Sequence, residues 1–394
     1  MLPRRVGLIL LLVAQFAACS GDDTQVKSGQ GGAAGAEPNG GASGSVLGFG
    51  GEAGSANAGS AGAELAGAAG APAGGAGSAG ASNAGASNAG ATQGGAGGAG
   101  GIAAGGEGGA GIVSAPVTPT EANGTYTFAY GDVVFEVDAD VGGRVITYSK
   151  AGVDLIDDSD ATNYGSTFWP SPQSAWGWPP PAEIDNLAYS AALDGATLVL
   201  TSGANAALEL SASKRFTVDS GFDRVTIEYA LKNEGAGAIS VAPWEITRVD
   251  IDGITFFPAP TAPITVQNGF PYDYDATGLA TWFDYAAESP TMAGKLFQDG
   301  SGWLAHADPN NSLLLVKVFP DIAPVDFAAG ESEVELYTDA ASYVELENQG
   351  AYVSLAAGES LTYTVLWYLR AIPGTVTIAS RDTSLYDMAA NLAQ

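Results

Sequence analysis

In 394 residues the chain sets 14 Lys and Arg against 43 Asp and Glu, a net charge of −29. That balance excludes nucleic acid and anionic lipid surfaces as partners, because binding either takes clusters of basic side chains. The single cysteine excludes a disulfide within the chain, and the single histidine excludes multi-histidine zinc sites such as H-E-x-x-H.

The amino terminus reads as a targeting segment over 1–19. Arg4 and Arg5 are its positive flank, and "VGLILLLVAQFAA" (Val6–Ala18) is an apolar run too short for a bilayer, which takes roughly 20 residues. "FAAC" resembles the lipobox of bacterial lipoproteins, with Phe16 where an aliphatic residue is usual. The resemblance implies export and a lipidated Cys19, and Ser20 after it favours the outer membrane over the inner. From 20 to 120 the chain is mainly glycine, alanine and serine, with the near-repeat "ASNAGASNAG" and Phe49 as its only aromatic residue. Such a stretch buries too little apolar area to offset ordering entropy, so a disordered linker is expected. At about 100 residues its mean reach is roughly 50–60 Å. The lipid would be the only membrane contact.

From 121 to 394 the dominant period is two. In "FEVDADV" Phe135, Val137 and Ala139 alternate with acidic residues. In "RVTIEYALKN" Val225, Ile227, Tyr229 and Leu231 alternate with Thr226, Glu228, Ala230 and Lys232. Ten or more such runs, punctuated by Gly, Asn and Asp, predict one large antiparallel β-sandwich. "KNEGAGAIS" and "LAAGESLT" read as hairpin connections. Only "SLYDMAANLAQ" has any helical character. "NYGSTFWPSPQSAWGWPPP" (Asn163–Pro181) has no period and reads as an irregular, proline-stiffened loop. An extended Trp176-Gly177-Trp178 would place both rings on one side. Outside the glycine-rich linker there is no phosphate-cradling loop or dinucleotide fingerprint, so no cofactor is expected. The aspartates of "VDIDG" and "FPYDYDATGLATWFDY" match no EF-hand loop, and no metal is assigned.

Three segments together resemble the galactose-mutarotase-like (aldose 1-epimerase-like) superfamily. They are "GGRVITYSKAGVDLI", "RVTIEYALKNEGAGAISVAPWEITRV" and "VELENQGAYVSLAAGESLTYTVLWYLR". The words Trp-Pro-Ser-Pro-Gln and Trp-Gly-Trp-Pro-Pro point to a bacterial lipoprotein branch of it. The resemblance implies a β-supersandwich that binds sugar on one sheet face. It also implies a glutamate base in E-x-Q, here Glu347 of Glu347-Asn348-Gln349, and a histidine acid. That histidine is missing: the return strand reads "APWEITRV", and the lone His306 lies much later and reads as structural. Glu245 is the substitute acid on offer.

The residues themselves supply a parallel reading. On an extended strand Tyr343, Glu345, Glu347 and Gln349 share one face while Val344 and Leu346 take the other. Carboxylates at i and i+2 lie about 7 Å apart and raise one another's pKa. Arg144 and Arg248 are candidates to orient a ligand, or to form structural ion pairs with Glu245. Trp169, Trp176, Trp178, Tyr272 and Tyr274 offer rings that suit the apolar C–H faces of a sugar. The expected partner is a neutral mono- or oligosaccharide, and the expected state a monomer. The alternatives are an epimerase using Glu347, and an interaction module without a sugar site.

Overall fold

In the computed structural model, residues 113–258, 263–274 and 279–394 are described, with the side chain of Tyr274 left out. Cys19, the signal segment and nearly all of the linker lie outside the described residues. Two antiparallel sheets, of 11 and 12 strands, face each other. Alternation builds them: in the strand Arg224–Asn233 it buries Val225, Ile227, Tyr229 and Leu231, and in Ser360–Ala371 it buries Tyr363, Val365, Trp367 and Leu369. These side chains meet Phe168, Leu336, Val344 and Leu346 of the second sheet in one core. Each such aliphatic or aromatic side chain contributes about 1.5–3 kcal/mol by leaving water.

Regular strand pairing is present from Pro116 onward. Pro116–Val117 already pairs with Leu210–Asp219, and Asp219 accepts from Ser114 and from the Ala115 amide. At the other end Thr383–Leu392 is a helix, capped by Asp382 and laid over a second apolar cluster around Trp282, Trp303 and Leu314.

Two expected hairpins are corrected. The segment "KNEGAGAIS" leaves Arg224–Asn233 in the first sheet and enters Ile239–Asp250 in the second. Likewise "LAAGESLT" passes from Val353–Leu355, paired in the second sheet, to Ser360–Ala371 in the first. A polar Gly-rich turn looks the same in sequence whether the chain doubles back or crosses between sheets. Asn233 binds the two crossings together, its Nδ2 donating to Gly237 O at 2.7 Å and to Leu355 O at 3.0 Å.

The tryptophan-rich stretch is also corrected. Ser166–Ser171 is a strand, buried along its whole length, paired with Ala242–Thr247. Burial on both faces removes the period of two that would have revealed it. Pro170 sits opposite Pro243, and beyond the single pair Val145–Ser166 no neighbour demands its missing N–H on the other side.

Candidate functional site

Five neighbouring strands of the second sheet place the site: Gly294–Gln298, Val334–Thr338, Tyr343–Gln349, Ile239–Asp250 and Ser166–Ser171. Their register aligns side chains in rows across the outward face. One row runs Lys295, Tyr337, Glu345, Arg248; the next runs Phe297, Glu335, Glu347, Ile246. A third brings Gln349, Trp244 and Trp169 side by side. Above them opens a cleft of about 340 Å³, walled by Trp169, Trp178, Trp244, Tyr337 and Tyr343, with Lys295 and Glu345 among its polar groups. Asn163, Gln173, Gln267 and Asn268 complete its polar lining.

The tryptophans form one cluster. Trp169 meets Trp176 at 5.8 Å, Trp178 at 6.0 Å and Trp244 at 5.4 Å between ring centroids, each near edge-to-face. Three indole N–H groups are held by the protein: Trp169 by Asp185 Oδ1 at 2.7 Å, Trp176 by Pro170 O at 2.7 Å, and Trp244 by Glu347 Oε2 at 2.8 Å. Trp178 is 60% exposed at the rim. The segment Trp176-Gly177-Trp178 is not extended, and its two rings line different cavities. Gly177 adopts φ +72°, and Trp176 turns to a separate groove beside Pro172, Ala207 and Leu208.

The charged side chains form two linked sets. Arg248 lies between the rings of Trp169 and Tyr343, 5.7 Å from each, and pairs with Glu345 Oε1 at 2.7 Å. Burial raises the Glu345 pKa, against the opposing charge of Arg248. Lys295 sits 4.7 Å from the Trp244 ring centre and bridges Glu335 at 2.5 Å and Glu347 at 2.8 Å. Burial alone would lower its pKa, but the two carboxylates outweigh it and hold the ammonium above its ordinary range. Burial drives Glu335 well above the usual carboxylate range, with Lys295 opposing and Glu347 reinforcing.

The candidate residues therefore divide. Trp169, Trp178 and Glu345 line the cleft, with Arg248 packed directly behind. Glu347 lies beneath it: Trp244 and Lys295, which do line the cleft, both donate to its Oε2, and its Oε1 is buried without a hydrogen-bond partner. Gln349 is buried too, accepting from Ser171 Oγ at 2.6 Å and donating to Glu335 Oε1 at 2.8 Å. Arg144 supports from behind: it donates to Thr162 O at 2.9 Å and reaches Asp185, the acceptor of the Trp169 indole. Tyr272 packs against the main core and is not a cleft wall. The Tyr274 side chain lies outside the described residues.

Glu245 is corrected as a candidate acid. One position from Trp244, it faces the opposite way, into the core between the sheets. There it pairs with Lys317 at 2.8 Å and accepts from Tyr229 Oη at 2.6 Å. It forms no ion pair with Arg144 or Arg248 among the described residues. His306 is buried against Thr255 Oγ1 at 3.0 Å, on the first sheet and not among the cleft walls, and burial lowers its pKa to about 4. Trp244, Lys295, Glu335 and Tyr337 were missed. For Trp244 the signal was parity with Arg248 on one strand; for Lys295 in "AGKLFQ" there was none.

No protein-family model matches the chain, and no curated protein does. Solved structures with a similar fold include a galactose mutarotase-like protein from Lactobacillus casei. It is 12% identical, with 63% of this chain and 100% of that one covered and a TM-score of 0.48. Galactose 1-epimerase from Lactobacillus acidophilus is 10% identical over 66% of this chain and 100% of its own, with a TM-score of 0.41. A TPR-domain containing protein from Parabacteroides distasonis is 14% identical over 68% of this chain, with a TM-score of 0.47; the chain spans about half of that protein, 54%. The likeness is one of fold.

Proposed function

We propose that the protein is an exported, lipid-tethered saccharide-binding protein, and that the tryptophan-walled cleft is its binding site. The observation that carries this reading is the cleft itself. Indole rings whose N–H groups are already satisfied present apolar surface, and amide, tyrosine, ammonium and carboxylate groups ring that surface. A sugar needs that pairing: C–H faces stack on rings while hydroxyls find fixed polar partners. Binding is favoured over epimerase chemistry because Glu347 sits under Trp244 and Lys295, with its Oε2 already taking two hydrogen bonds. A general base must reach the proton it abstracts.

The test is a titration of the full chain with a panel of mono- and oligosaccharides, read by tryptophan fluorescence alongside polarimetry. At least one sugar should quench or shift the emission, while anomers interconvert no faster than in buffer. Silence across the whole panel overturns the saccharide reading. Accelerated interconversion that Glu347→Gln abolishes replaces binding with catalysis.

A further inference from the structure

We propose that the saccharide taken by this cleft carries an ammonium group, as an amino sugar does, with Glu345 Oε2 as its acceptor. The inference rests on the saccharide reading above and replaces the neutral sugar expected from sequence with a cationic one.

Glu345 is 9% exposed, yet it lines the cleft. Arg248 pairs with its Oε1 at 2.7 Å, and no hydrogen bond to its Oε2 is found among the described residues. An ionised carboxylate only accepts, so a buried half-used one selects a donor. Charge then chooses among donors. At and beneath the cleft, Arg248 and Lys295 stand against Glu335, Glu345 and Glu347. Both cations are already committed, Arg248 to Glu345 and Lys295 to Glu335 and Glu347, and the remaining polar lining is uncharged amide and tyrosine. A ligand ammonium would give three carboxylates a third cation. A uronic acid would add a fourth anion. Trp178, exposed at the rim of the same cleft, adds an aromatic ring of the type that attracts cations. Across the domain, 36 of the chain's 43 acidic residues lie from Asn123 onward, and such a negative field raises the local concentration of cationic ligands.

The experiment compares matched oligosaccharides that differ only at one position: amine, N-acetyl amine and hydroxyl, in gluco and galacto series. Calorimetry on the full chain at slightly acid pH, where the amines are charged, gives the affinities. In at least one series the amine should bind about tenfold tighter than both counterparts, as one charge-assisted hydrogen bond provides. In Glu345→Gln that ratio should fall below threefold, whatever happens to the affinities themselves. A ratio below threefold in every series of the unaltered protein overturns the proposal and leaves the saccharide reading standing. Binding by no member of any series removes both. A tenfold ratio that survives in Glu345→Gln overturns the assignment of Glu345. Should that variant not fold, the unaltered protein's ratios decide.

Discussion

One lysine–glutamate pairing bridges the two sheets and another lies on the outer face of the second sheet, and the two behave in opposite ways. On the inner face Lys317 meets one carboxylate, Glu245, together with the neutral oxygens of Thr247 and Leu346. On the outer face Lys295 meets two carboxylates, Glu335 and Glu347, beside the Trp244 ring. Burial lowers the pKa of Lys317 despite Glu245; the second carboxylate reverses that sign for Lys295. The inner pair is sealed between sheets and has no ligand to meet. The outer set stands at a cleft, where its charges set what can bind. Residue type alone does not separate a structural ion pair from a binding site; the strand face does.

The inner pair offers the largest effect. Glu245→Gln leaves Lys317 in the core without its counter-ion, and unfolding should become easier by about 3–5 kcal/mol. Replacing both partners, with Glu245→Leu and Lys317→Met, should restore most of that loss. Denaturant melts of the single and double variants check it. Equal instability in both would mean that the pair anchors the sheets through geometry that apolar side chains cannot supply.

A second interior lysine sharpens the contrast through pH. Lys214 donates to Gly142 O at 2.7 Å and Gly143 O at 3.1 Å, and no carboxylate among the described residues bonds it. Burial lowers its pKa to about 7, against Asp185 and with Arg144. Between that value and the lysine's ordinary value of 10.5, the unfolded chain holds a proton that the folded chain has lost. Stability from this group therefore rises with pH across that window and is level below it, with a slope approaching about 1.4 kcal/mol per pH unit. The difference between the unaltered protein and Lys214→Met, followed by denaturation from pH 6 to 10, should show that rise. A difference that is flat with pH would put the ammonium in a wetter setting.

How far these faces were legible follows from period and parity. The sandwich was legible because strands such as Arg224–Asn233 alternate cleanly. The shared face of Tyr343, Glu345, Glu347 and Gln349 followed from the same period, and the core took Val344 and Leu346 as expected. Ser166–Ser171 was illegible as a strand because burial on both sides erased its alternation. The candidate acid failed on parity. Arg248 and Trp244 share a face of Ile239–Asp250, so Glu245 had to take the other; counting in twos from Arg248 would have exchanged the two. Lys295 and Glu335 come from strands distant in sequence, and only sheet order brings them beside Glu347. Nothing local in the sequence encodes that neighbourhood.

The smallest expected effect on stability tests the outer face most directly. Trp178 is 60% exposed and, among the described rings, meets only Trp169, at 6.0 Å and 80°. Trp178→Ala should therefore change stability by no more than about 0.5 kcal/mol, as surface substitutions do. Trp244, fully within the cluster and bonded to Glu347, should cost about 3–5 kcal/mol when cut to alanine. Saccharide affinity should order the two differently. A rim ring that stacks on a sugar loses its contribution without disturbing the fold, so Trp178→Ala should weaken binding about tenfold, or ~1.4 kcal/mol. Calorimetric titration of that variant beside its melting curve separates the two quantities. A stable variant with undiminished affinity would make Trp178 a bystander at the rim and confine the ligand to the inner walls of Trp169, Trp244 and Tyr343.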